Sequence, residues 1–199
     1  RTGALQLNRG IPDTKGMRDA GHAAQVRQVV SQWGPVVPTE AGDATPPDIS
    51  AQCDALLAAS PPIVSSIMGL YPSGFIAELK TRGIMWFATA TTVAEARAAE
   101  SAGADVIVAQ GMEAGGHRGC FDAQLAERQL AGLFALLPSI VDAVGVPVVA
   151  TGGIADFRGV AAALALGASA VQIGTGFLRC PEARIDPAWA QALTLAQPE

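Results

Sequence analysis

Two distant stretches of this chain spell the same unit: Ala102-Gly103-Ala104-Asp105-Val106-Ile107-Val108-Ala109-Gln110-Gly111 and Leu166-Gly167-Ala168-Ser169-Ala170-Val171-Gln172-Ile173-Gly174. Each reads as a helix end, a Gly-Ala turn, a short strand apolar on both faces, and a glycine loop. A strand apolar on both faces needs cover on both sides, which is the condition of a parallel sheet sheathed by helices. Repetition of a strand–loop–helix unit favours a (β/α)8 barrel over an open doubly wound sheet.

The rest of the chain fits that period. Strands are expected near residues 4–8, 63–68, 84–88, 106–109, 148–151 and 170–173. Helices are expected across 19–33, 49–59, 73–81, 92–102, 126–143 and 157–166, with a Pro/Gly/Asp-rich connector at 34–47. The fold class is therefore α/β, one domain over 1–199, with six strands where a closed barrel has eight. An incomplete (β/α)8 barrel is expected, lacking its first strands. The opening at Arg1, with no leader pattern, also leads us to expect an upstream segment.

At 199 residues, half of them hydrophobic and 16% charged, the chain can bury one substantial core. A formal charge of −5 without any Lys/Arg cluster argues against a nucleic-acid surface. Gly159–Leu178 carries no charge and is long enough to span a bilayer, but its glycines and polar residues read better as a helix followed by a buried strand. No membrane partner is expected. Cys53, Cys120 and Cys180 are odd in number and widely spaced, which fits a reducing, cytoplasmic compartment better than a disulfide framework.

The chemistry concentrates in Ala109–Gly119, after the strand Val106-Ile107-Val108. Gly111, Gly115, Gly116 and Gly119 let backbone amides approach a flat or anionic ligand, and His117 delivers one imidazole at the loop's end. A general base or ligand-facing donor is the functional reading; a loop histidine bonded to backbone is the bland one. Glu113 with His117 makes a poor metal pair, because these glycines will not hold a helix and no third ligand is obvious. Cys120 could be a thiol nucleophile beside His117, yet a small buried cysteine is the better fit. His22 reads as solvated.

Thr151-Gly152-Gly153-Ile154-Ala155-Asp156 and Gly174-Thr175-Gly176-Phe177 close two successive late strands. Such paired loops are the usual phosphate cradle of a barrel, using free amides and a helix N-terminus. Asn8, Gln110 and Gln172 are each expected at a strand end, where an amide can meet a ligand's polar edge or satisfy barrel-end backbone.

Together, Ala109–Gly119, Ala150–Asp156 and Gly167–Thr175 resemble the nitronate monooxygenases, formerly 2-nitropropane dioxygenases, over most of Leu5–Leu178. The resemblance implies an FMN-dependent oxidoreductase, a flavoprotein that oxidises alkyl nitronates with O2 to a carbonyl compound and nitrite. Carried over by position, it implies that Asn8, Gln110, Gly115, Gly153 and Gln172, Ile173, Gly174 and Thr175 contact FMN. It also implies that His117 is the catalytic histidine. Two departures accompany it: the family's first two βα units are missing, and Phe157 stands where glycine is usual. FMN-dependent enoyl-acyl-carrier-protein reductases using NAD(P)H share the pattern and are the alternative; a non-catalytic truncated remnant is a third.

Overall fold

The computed structural model describes residues 6–10, 19–32, 34–40 and 48–195, with the backbone alone at 6–10. Along the chain come β1 (Gln6–Gly10), α1 (Ala20–Val30), α2 (Ile49–Ala59), β2 (Ile63–Ile67), α3 (Ser73–Thr81), β3 (Met85–Ala90) and α4 (Val93–Ser101). They are followed by β4 (Val106–Gln110), α5 (Leu133–Val141), β5 (Val148–Thr151), α6 (Phe157–Ala165), β6 (Ala170–Gln172) and α7 (Pro187–Leu195). The six strands form one sheet in the order β1-β2-β3-β4-β5-β6, every neighbouring pair parallel. Among the described residues strand order never reverses and shows no switch point of a doubly wound sheet, so the sheet is an arc of a (β/α)8 barrel.

The repeated unit in the sequence is a repeated device in space. After α4, Gly103 takes φ +103 and Ala104 N–H returns to the Ala99 carbonyl at 3.0 Å. After α6, Gly167 takes φ +98 and Ala168 N–H returns to Ala163 at the same distance. A left-handed glycine closes each helix and its amide turns satisfy the last carbonyls. The next residue enters the sheet alike in both: Asp105 N–H donates to Trp86 O at 2.9 Å and Ser169 N–H to Val148 O at 2.8 Å.

Side chains alternate across the sheet, and the two faces differ. Val64, Trp86, Ala88, Ile107, Ala109, Val148 and Ala150 face the helices and join the main core with Leu79, Leu137 and Ile140. Val106, Val108 and Val149, with Phe87, form a small cluster on the other face, the barrel interior. β4 is buried along its whole length, as its unbroken apolar sequence requires. Trp86 is fully buried and its indole N–H donates to Ser66 Oγ at 3.0 Å.

Two expectations need correction. The helix expected across 126–143 is a 3-10 turn at Ala123–Leu125 and then α5 from Leu133. Gly132 is extended at the N-cap, and Met112 N–H pairs with Ala131 O at 2.9 Å, so the segment before it serves the glycine loop rather than a helix. Asn8 is not at a strand end: it is the middle residue of β1, paired in register with Ser65. Residues 4–5 of the expected first strand lie outside the described residues. Among the described residues no helix is long and apolar enough to cross a membrane; 159–178 runs through α6, a glycine turn, β6 and a 3-10 turn.

Candidate active site

The inner face of the sheet runs up to a cavity of about 920 Å³. Ser65 and Ile67 of β2, Thr89 of β3, Val108 and Gln110 of β4, Thr151 of β5 and Gln172 of β6 line it. The period of two puts these residues, and the register position of Asn8 opposite Ser65, on one face. The loops after β4, β5 and β6 complete the wall at the strands' C-terminal ends, where barrel enzymes place their chemistry.

The loop after β4 is held by buried side chains. Gln110, 5% exposed, donates from Nε2 to the His117 carbonyl at 3.0 Å and accepts from Gly119 N–H at 2.6 Å. Arg118 turns back: Nη1 donates to Gln110 O at 3.2 Å, Nη2 donates to Gln129 O, and Nε is buried with no partner. Further on, Glu95 accepts from Phe121 N–H at 2.8 Å through one oxygen and from Thr91 N–H and Oγ1 through the other. With its backbone fixed on both sides, His117 is left exposed on the cavity wall.

Cys120 is not poised as a nucleophile. It is buried, its one S–H proton has Asp122 O and Gln129 Oε1 as acceptors within reach, and burial pushes its pKa above the usual thiol value.

Glycines bring the loops together. A Cβ on Gly115 would stand 2.7 Å from Thr175 Oγ1, so the β4 loop crosses to the turn after β6. Gly152 and Gly153 take φ +115 and +66 and nest against Ala114 and the Glu113 stem. The amides of Gly153, Ile154 and Gly174 donate to no protein acceptor among the described residues, and a Cβ on Gly174 would meet open space. The helix N-terminus expected in the cradle is already served: the Asp156 carboxylate caps α6, accepting from Arg158 and Gly159 N–H. Its pKa is lowered, first by the side-chain hydrogen bond from Arg158. What the backbone of this cavity offers an anion is loop amides, without the α6 terminus.

Gln110, Gly115, His117, Gly153, Gln172, Ile173, Gly174 and Thr175 all line this one cavity. The side chain of Asn8 lies outside the described residues. The roles of five residues escaped the sequence. Glu113 accepts from Leu133 N–H at 3.0 Å with each oxygen, capping α5 from a distant loop. Met68 lines the cavity with φ +68, an unusual backbone for a non-glycine residue. Arg179 and Leu193 reach the wall from beyond β6. Only Glu95 carried a local signal, the Thr92-x-x-Glu95 capping pattern, and that pattern does not reveal its reach to Phe121.

Comparison with known proteins agrees with this geometry. A nitronate monooxygenase from Paraburkholderia phytofirmans is 49% identical over 143 residues, covering 72% of this chain and 39% of the relative. The structure of nitroalkane oxidase from Streptomyces ansochromogenes superposes with a TM-score of 0.79 at 36% identity, covering 95% of this chain and 55% of the other. FabK from Thermotoga maritima gives 0.65 at 29% identity, covering 92% and 55%. The chain thus spans well under two thirds of these relatives' lengths. The nitronate monooxygenase family model matches residues 10–199, nearly the whole sequence, and this chain belongs to that family.

Proposed function

We propose that this chain carries the FMN-phosphate cradle and the catalytic histidine of a nitronate monooxygenase that converts alkyl nitronates and O2 to carbonyl compounds and nitrite. The observation that carries this reading is that His117, Gly153 and Gly174 line a single cavity with unpaired amides at one end and an exposed imidazole on its wall. FMN fits the donor set: Gly153, Ile154 and Gly174 offer amides to a phosphate, and the absent Cβ at Gly174 leaves space for close approach. When bound, FMN supplies the redox chemistry that no side chain here can provide. Gln110, Gln172 and the register position of Asn8, on the sheet's inner face, would hold its ring.

His117 acts on the substrate. Its imidazole takes the acidic C–H proton of a neutral nitroalkane, or donates to the oxygens of a nitronate already formed. The Gln110 and Glu95 hydrogen bonds fix the loop backbone from which the imidazole projects, so that segment need not be ordered when substrate arrives.

The test is the visible spectrum of the purified protein, with the released chromophore identified by mass, followed by nitrite release from an alkyl nitronate under O2. FMN and O2-dependent nitrite support the reading. Flavin reduction by NAD(P)H without nitrite release would assign the chain to the enoyl-reductase alternative instead. A protein that takes up no flavin would be the remnant.

A further inference from the structure

Among the described residues, Arg179 is the single lysine or arginine on the cavity wall. It follows the 3-10 turn Thr175–Phe177, whose first residue comes directly after Gly174, and among the described residues no carboxylate pairs with it. Several other cations are engaged: Lys80 with Asp105, Arg82 with Glu78, Arg158 with Asp156, and Arg118 with loop carbonyls; Arg97, Arg128 and Arg184, which also show no ion pair among the described residues, do not line the cavity. The wall's one carboxylate among the described residues, Glu113, is occupied at the α5 N-terminus, where the helix dipole offsets its charge.

A phosphate monoester brings a charge of about −1.5 to −2 near neutral pH. Glycine amides offer it oriented dipoles but no countercharge, and the chain as a whole carries −5. A guanidinium supplies both charge and a forked donor set matched to phosphate oxygens. We infer that Arg179 is the charge-selective element of this site, making it discriminate for a terminal phosphate monoester and against the same ligand ending in a hydroxyl. The inference rests on the FMN reading and deepens it: the glycine turns admit a flavin tail, and Arg179 requires that the tail be phosphorylated.

The experiment titrates FMN and riboflavin separately into the wild-type chain, R179Q and R179K, following flavin fluorescence polarisation at two salt concentrations. The wild type is expected to prefer FMN, and added salt to weaken FMN more than riboflavin. R179Q is expected to weaken FMN about tenfold, the worth of one charge-assisted hydrogen bond, and to leave riboflavin within about twofold. R179K is expected to recover part of the loss. Near-ultraviolet circular dichroism checks that each variant stays folded. Equal FMN affinity in wild type and R179Q overturns the role of Arg179 while leaving the flavin reading intact. Equal weakening of both flavins also overturns it, since a packing defect does not read the phosphate. A wild type that binds neither flavin overturns the FMN reading and this inference with it.

Discussion

The side-chain amide of Gln110 donates to the main-chain carbonyl of His117 at 3.0 Å, so the last residue of β4 fixes the position of the histidine seven residues later. Its oxygen meanwhile accepts from Gly119 N–H, which makes Gln110 a two-point clamp. Gln110→Glu keeps the acceptor for Gly119 but turns an oxygen toward the His117 carbonyl. A cost of about 1–3 kcal/mol in urea denaturation is expected from the lost buried bond and the facing acceptors. Amide hydrogen exchange should speed up across 115–119. Unchanged exchange there would show that the clamp does not hold the loop.

For His117, the base role predicts a split between substrates. In the flavin-loaded protein, His117→Asn should slow oxidation of a neutral nitroalkane about 10²–10⁴-fold, with a much smaller loss on the preformed nitronate. Equal losses on both would assign the imidazole to binding instead.

Cys120 should be chemically silent. Its thiol is buried, has two oxygen acceptors within reach of its one S–H proton, and has its pKa pushed upward, so it stays protonated at neutral pH. In native protein, iodoacetamide should leave Cys120 and the buried Cys53 unmodified until denaturant is added. Cys120→Ala should retain turnover.

Gly111 and Gly115 separate steric from cofactor effects. A Cβ at Gly111 would stand 2.6 Å from Leu133 Cβ and 2.8 Å from its backbone nitrogen, so Gly111→Ala must displace α5 and should cost about 1–3 kcal/mol. At Gly115 the obstacle is the movable Thr175 hydroxyl, so Gly115→Ala should fold normally and weaken FMN binding by parting the two loops. Calorimetric unfolding and flavin titration distinguish these outcomes.

Asp156 predicts a pH dependence. Its folded-state pKa is lowered, so its stabilising contribution is present above the ordinary carboxylate pKa and is lost as pH falls through the depressed value. Asp156→Asn, which keeps a capping acceptor, should be milder than Asp156→Ala in thermal denaturation at neutral pH, and should remove this acid-sensitive component. Identical acid profiles for wild type and Asp156→Asn would exclude the cap as its source.

Local sequence determined the strands and their turns, because a short apolar run flanked by Gly-Ala is recognisable without knowing its neighbours. Val106–Gln110, Ala170–Gln172 and the positive-φ glycines 103 and 167 needed only the chain adjoining them. The period of two then brought Gln110 and Gln172 to the same face as the glycine loops. Other features depended on which loops meet in space, and no local pattern encodes that. Glu113 caps a helix that begins at Leu133, so α5 starts late, where the periodicity of 126–143 suggested an earlier start. For Gln110 the sequence left a ligand edge and barrel-end backbone as alternative partners, and the returning loop supplies backbone for both its donor and its acceptor. Arg179 looks like an ordinary charged residue after a strand, and only the closure of the last turn over the sheet brings it to the cavity wall. Backbone preferences are set within a few residues, whereas hydrogen-bond partners and cavity walls are set by the packing of the whole arc.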